Sequence, residues 1–372
     1  MKFTLLHRSK KSQARVGQID TEHGVIHTPN FIPVGTNGTV KMVAPPLLDS
    51  LDIQLLFCNT YHLMLQPGVE IIRKAGGLHH FIHRDRPIIS DSGGFQLFSL
   101  IYHSVTDELK NRKQKSYHSV LRISDEGVLF RSYRDGKKLL LTPENSIETQ
   151  KVFGSDIILP LDELPPYHIS PDALQRSLHR THAWEKRSLN THLKNPQKQA
   201  IYGIIHGGVD KSLRAHSCSF LTQLPFDGFA IGGSMGRSKE EMLEMLRFTL
   251  PLLPSHLPIH LLGIGDTESI ERSISLGIDT FDSSYPTRAA RHGTLLTHQG
   301  MIKIARTLYA DQFKPIENGC LCPTCQHHTR SYLHHLFKAR ESVATALASI
   351  HNLHFMNTFM RGLRQKIIDG LI

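Results

Sequence analysis

The chain has a single tryptophan, only five cysteines, and no apolar run approaching the roughly 18 residues a membrane-spanning helix needs. The last absence excludes a helical membrane protein. The cysteines, Cys58, Cys218, Cys320, Cys322 and Cys325, are odd in number and three are clustered. That pattern excludes a disulfide framework and fits a metal site in a reducing compartment. Low-complexity segments are absent, as are internal repeats beyond the alternation described below. Met1 to Arg8 turns polar too soon for a secretory signal, so a cytoplasmic location is expected. Acidic residues are the scarcer charge: 33 Asp plus Glu face 43 Lys plus Arg, a formal +10, and 25 histidines can add to it. Such an excess suits a polyanionic partner.

What is present is a series of short apolar runs, each ending in Gly or a polar residue. Eight stand out: "FIPVGT" (31–36), "IQLLFCNT" (53–60), "PIISDSGG" (87–94), "DIILPLDE" (156–163), "AIYGIIHGG" (200–208), "FDGFAIGG" (226–233), "PIHLLGIG" (258–265) and "GIDTFDSS" (277–284). Near-continuous apolar runs of this length fit strands buried on both faces of a parallel sheet. Helical patterns lie between many of them. Ser170-Pro171 opens one helix with an N-cap and a first-turn proline. Ser238 to Glu241 reads as a capping box, and Met242, Met245, Leu246 and Leu250 follow as an apolar stripe. Glu268 to Leu276 is a shorter helical candidate. Eight strands with intervening helices predict an α/β fold, a (β/α)8 TIM-type barrel, with an open doubly wound sheet as the rival.

Residues 1–300 are assigned to the barrel and 301–372 to a zinc-binding subdomain with C-terminal helices packed on it. Residues 1–30 begin with a predicted hairpin, "ARVGQIDTEHGVIHTP". An insertion is placed at about 96–155. It contains the basic stretch "KNRKQKSYH" (110–118) and a second hairpin, "GVLFRSYRDGKKLLL", turning at Asp135-Gly136.

In a barrel the C-terminal strand ends converge on one site. Here those ends hold Asn59, Asp91, Asp162, His206, Gly232, Gly265 and Asp282. Any single Asp could merely cap the next helix. Three converging carboxylates are costly unless they work. In "SDSGGFQ", Asp91 follows a strand, Ser92 offers a hydroxyl, Gly93-Gly94 allow close backbone approach and Phe95 can stack on a flat ring. That set suits a planar heterocycle. Asp282 can be a base or a nucleophile, with Arg288 and Arg291 close by for phosphates. In "CLCPTC", Cys320, Cys322 and Cys325 can share one tetrahedral zinc. The fourth ligand is open among His327, His328, His334, His335, His351 and His354.

With these residues assembled, the chain resembles the bacterial tRNA-guanine transglycosylases, the queuine tRNA-ribosyltransferases. The likeness runs nearly end to end and is carried by "NTYHLMLQPG", "SDSGGFQLFSL", "DEGVLFRSYRDG", "LTPENSIETQ", "FDGFAIGG", "FDSSYPTRAAR" and "GCLCPTC". The resemblance implies exchange of the wobble guanine in tRNAs with a GUN anticodon for a 7-deazaguanine base. It makes Asp282 the nucleophile that forms a covalent tRNA intermediate, and Asp91 the proton acceptor. Asp91, Ser92, Gly93, Gly94, Asp162, His206 and Gly233 would bind the base, which Phe95 and Leu262 would sandwich. Gly263, Ile264, Gly265, Asp266, Thr267, Glu268 and Ser269 would face the tRNA, as would Thr287, Arg288, Ala289, Ala290 and Arg291. His351 becomes the fourth ligand of a structural Zn2+, and a homodimer is expected. A non-catalytic tRNA-binding subunit of the same fold and a metallohydrolase barrel are the competing readings.

The sequence departs from the bacterial pattern around the base pocket. His206 replaces a Gln, Leu164 a Cys and Asp266 a Lys. Ser283-Ser284 stand for Cys-Val, and Ser234 to Arg237 form a shortened loop lacking a Glu. An inward-pointing Arg237 would repel an aminomethyl base, so the resemblance leaves the aminomethyl precursor and queuine as alternatives.

Overall fold

Each of the eight apolar runs supplies one strand of a closed parallel barrel in the computed structural model, which describes residues 1–99 and 119–372. Numbered along the chain, three strands come first: β1 (Lys2–Arg8), β2 (Arg15–Thr21) and β3 (Gly24–Thr28). The barrel begins with β4 (Asn30–Gly35), β5 (Leu56–Cys58) and β6 (Ile88–Ser90). A separate antiparallel sheet follows, made of β7 (Val120–Ser124), β8 (Gly127–Arg131) and β9 (Lys138–Leu141). The barrel resumes with β10 (Ile157–Ile158), β11 (Ala200–Ile205), β12 (Gly228–Ile231), β13 (Ile259–Leu261) and β14 (Thr280–Ser283). The ring closes where β14 pairs with β4, Phe281 opposite Phe31 and Asp282 opposite Ile32. Closure excludes the doubly wound alternative.

The N-terminal hairpin is β2–β3, with β1 added as a third strand. The hairpin at Asp135-Gly136 is β8–β9. The basic stretch at 110–118 lies outside the described residues. The helix Pro143–Phe153 packs against Val69–Lys74 and Pro171–Leu193, so it is the barrel's own crossover helix. The insertion drawn at 96–155 therefore took in one element of the barrel. Ser170 caps its helix as predicted, accepting from the Ala173 N–H. Ser238 also caps, but the Glu241 carboxylate turns to the Arg237 N–H at 2.7 Å rather than completing a box.

Carboxylates on the N-terminal rim tie neighbouring strands. Asp156, Asp227 and Asp279 each precede a strand and accept an N–H at the start of the neighbouring barrel strand, from Ile88, Ile201 and Ile259. Asp156 also binds the His23 ring at 2.9 Å, and that ring stacks on His79 at 3.6 Å. Burial opposes ionisation of Asp156, but His79, the Ile88 N–H and His23 together bring its pKa down to about 2. Arg15 from β2 donates to Asp279 Oδ1 at 2.9 Å and to the Leu257 carbonyl at 2.8 Å. The N-terminal sheet is thus bolted to the barrel floor.

A 27-residue helix, Ser342–Ile368, joins two cores. Phe355, Met356 and Met360 pack with barrel residues such as Phe31 and Phe281. Ala348, nearer its start, packs with Leu295, Ile304, Cys322 and Leu333. Arg15 and Asp279 are both buried, so Arg15→Met strands a carboxylate and is expected to cost about 3–5 kcal/mol in unfolding free energy. Urea denaturation of the variant against wild type checks this, and a loss under about 1 kcal/mol contradicts the bolt.

Candidate active site and metal centre

The opposite rim carries a different set of carboxylates. Asp91 directly follows β6, and four donors surround it. Asn59 Nδ2 at 2.6 Å and Gln96 Nε2 at 2.8 Å reach Oδ2; the Thr60 and Gly93 N–H groups reach Oδ1 at 2.8 and 3.2 Å. Burial nevertheless dominates and lifts its pKa to about 6, with those four hydrogen bonds pulling the other way. Gly93 permits the turn: its φ of 85° lies in the left-handed region, and a Cβ there would stand 3.2 Å from the Tyr61 nitrogen.

Asp282, in β14, is held on one oxygen only. His260 Nε2 at 3.1 Å and the Gly263 N–H at 2.9 Å both reach Oδ1. The other His260 nitrogen pairs with the Thr280 hydroxyl at 2.9 Å, which fixes the ring. Among the described residues nothing bonds Oδ2. His260 was not foreseen as a site residue, although "PIHLLGIG" displays it as the polar residue inside an apolar strand.

Asp162 and His206 form the third element, Oδ2 to Nε2 at 2.8 Å, with the Ser92 hydroxyl 3.5 Å from Oδ1. Gly94 cannot carry a side chain, because a Cβ would lie 2.9 Å from the Asp162 carbonyl. Phe95 is exposed and Leu262 half-buried. The loops that follow Asp162, His206 and Gly233 line a cleft of about 270 Å³ with Pro165, Tyr167, Ile169, Leu174, Val209 and Ser234. Arg237 lies over the Tyr167 ring at 5.2 Å, so it is stacked rather than loose in the pocket.

The two segments expected to face tRNA differ in exposure. Gly263, Glu268 and Arg288 are exposed, while Ile264, Thr267, Ala289 and Arg291 are half-buried. Gly265, Ser269, Thr287 and Ala290 are buried, and Ala290 packs in the core around Leu295. Asp266 caps the helix Thr267–Ile274 and pairs with Lys239 at 2.8 Å. Burial works to raise its pKa, yet Lys239 and Ser269 leave it lowered.

Cys320, Cys322, Cys325 and His351 come together, their ligand atoms all within 4.8 Å of one another. The sulfurs stand 3.8, 3.5 and 3.4 Å from His351 Nδ1. A tetrahedral zinc with bonds of about 2.3 Å to sulfur and 2.0 Å to nitrogen would separate such ligands by about 3.5 Å. His351 Nε2 lies 2.8 Å from the Leu296 carbonyl, which orients the ring with Nδ1 toward the sulfurs. The donor set fits a closed four-ligand centre. Next to it, Asn352 donates to the Pro286 and Thr294 carbonyls at 2.9 and 3.0 Å. The metal centre therefore braces the chain just beyond Asp282.

Fold and site together define a barrel that carries aspartates at its C-terminal strand ends, with a Cys3His cluster able to hold a metal ion near its C-terminus. The sequence matches the family described as Queuine tRNA-ribosyltransferase over residues 9–372, and the chain belongs to that family. Among curated relatives, the queuine tRNA-ribosyltransferase of Protochlamydia amoebophila (strain UWE25) is 64% identical over 372 residues, covering 100% of this chain and 96% of the relative. Those of Chlamydia abortus and Chlamydia caviae are 54% and 53% identical, each alignment covering both chains in full.

The centre is expected to hold one metal ion per chain. Cys322→Ser should lower both metal content and soluble yield, because a closed centre supports folding. Elemental analysis of the purified variant checks this; unchanged metal content contradicts the ligand assignment.

Proposed function

We propose that the protein exchanges the wobble guanine of GUN-anticodon tRNAs for a 7-deazaguanine base through a covalent intermediate on Asp282. The observation that carries this reading is the asymmetry of Asp282. One oxygen is fixed by His260 and Gly263, and the other has no hydrogen-bond partner among the described residues. An anchored carboxylate with one free oxygen suits attack on a sugar carbon. Asp282 Oδ2 bonds to the anomeric carbon of the ribose as the bond to guanine N9 breaks, and the departing N9 takes up a proton from solvent. The incoming base then displaces Asp282 from that carbon, and its N9 proton passes to Asp91. One glycosidic bond is broken and one formed, so no energy carrier is required. Extrusion of the target nucleotide from the anticodon loop delivers the sugar.

Asp162, His206 and the Gly233 backbone recognise the base edge, with Phe95 and Leu262 on its faces. Arg288 and the Gly263 to Ser269 segment contact the anticodon loop. The cleft lined by Pro165, Tyr167, Leu174 and Val209 favours queuine over the smaller aminomethyl base, since it has room for a bulky substituent and Arg237 is stacked on Tyr167 rather than filling it. The metal at the Cys3His centre is zinc, structural and remote from the reaction. Exposed Met301, Phe313 and Leu321 around that region support a homodimer. The substrate places the protein in the cytoplasm.

Two outcomes test the chemistry. Wild type incubated with tRNA and then denatured should yield a protein–RNA adduct on a gel, and Asp282→Asn none; an adduct in the variant removes Asp282 as nucleophile. Asp91 accepts a proton only when ionised, and its folded pKa is raised to about 6. Exchange should therefore fall about tenfold per unit as pH drops below that value and level off above it. A flat profile from pH 5 to 8 contradicts the assignment. The same shift makes the protonated form the stabilising one: stability from this group is full below the unfolded value and is lost as pH rises through about 6.

A further inference from the structure

Arg214, on the helix Lys211–Leu221, is completely buried yet pairs with no carboxylate among the described residues. Burial brings its pKa down to about 10, with Cys218 acting the other way, so it remains charged at neutral pH. A charge hidden from water must be compensated, and here carbonyl oxygens do so. Nε donates to Gly208 at 2.9 Å and Nη1 to Ile205 at 2.8 Å. Nη2 donates to Gly232 at 2.9 Å and lies 3.4 Å from the Ser234 carbonyl. The four carbonyls come from the end of β11 and the loop after it, which carries His206, and from the loop after β12, which carries Gly233.

A peptide unit is planar and trans, so its C=O and N–H point in opposite directions. Drawing the Gly232 carbonyl onto Arg214 turns the Gly233 N–H away from it. No described protein group accepts that N–H. His206 Nε2 and Leu262 Cδ1 each stand 3.4 Å from where a Cβ on Gly232 would lie, so this peptide abuts the base-binding wall. At Gly233 φ is 76°, and a Cβ would approach His206 Nδ1 to 3.0 Å. The peptide is fixed on one side by the guanidinium and crowded on the other by the imidazole.

We infer that Arg214 is a positioning residue for base recognition: through the Gly232 carbonyl it holds the Gly233 N–H as a donor aimed at an acceptor oxygen or nitrogen on a bound purine-like base. The inference rests on the exchange reading given above. Its ligand class is a heterocycle that presents an acceptor to the wall formed by His206, Gly233 and Leu262. A lysine keeps the charge but not the fork that reaches carbonyls in both loops.

The test is steady-state exchange with Arg214→Lys and Arg214→Ala, with guanine as the free base. The KM for the base should rise about tenfold, the size of one lost oriented hydrogen bond, while the KM for tRNA stays within about twofold. Millimolar guanidinium ion should lower the base KM of Arg214→Ala, and sodium chloride at equal ionic strength should not. An unchanged base KM in Arg214→Lys, or an equal rise for base and tRNA, overturns the inference. Should the variants fail to fold, hydrogen exchange on the wild type decides. Guanine must protect the amides of the 229–236 segment, and absence of protection overturns the inference. That measurement is independent of turnover, so an inactive wild type would defeat the exchange reading and leave this inference to stand or fall on the Gly233 amide.

Discussion

Two carboxylates have to be kept at the mouth of an apolar barrel without being neutralised by a cation, and much of the surrounding structure follows from that constraint. Among the described residues, Asp91 is met by four neutral donors and no positive charge. Asp282 is met by an imidazole and one backbone N–H, all on a single oxygen. Hydrogen bonds from neutral groups hold a carboxylate in place without quenching its reactivity as a bidentate arginine would. Each set is assembled by neighbouring strands: the residues after β5 and β6 surround Asp91, and β13 with the turn after it meets Asp282 in β14.

The N-terminal rim shows what the same residue type does when its task is cohesion. Asp156, Asp227 and Asp279 precede their strands and spend their oxygens on backbone N–H groups, with Arg15 or histidines added. Asp156 is pulled far down in pKa and Asp91 is pushed up. The contrast is one of partners: Asp156 gains two histidines, and Asp91 gains only amides against nearly complete burial. Position along the strand thus separates the aspartates that tie the N-terminal rim from those gathered at the C-terminal rim.

Much of this was legible in the sequence because strands buried on both faces read as apolar runs. All eight runs became barrel strands, and the three cysteines of "CLCPTC" came together with His351. Other features were hidden for physical reasons. β1 is half-exposed and shows no clean alternation. His260 is one polar residue in an apolar strand, and nothing local reveals that its ring meets a carboxylate 22 residues later. Arg214 looks like a surface residue of an amphipathic helix, since its partners are carbonyls that carry no sequence signal. The helix Pro143–Phe153 was absorbed into an insertion because the antiparallel sheet before it interrupts the βα alternation.

The central claim is base exchange at one nucleoside, and mass spectrometry of the tRNA product reads it most directly. GUN-anticodon tRNA incubated with the protein and a 7-deazaguanine base, then digested to nucleosides, should lose guanosine at the first anticodon position and gain the mass of the deazapurine nucleoside there, with tRNAs of other anticodons unchanged. An unaltered wobble guanosine, or the new nucleoside at any other position, would contradict the account.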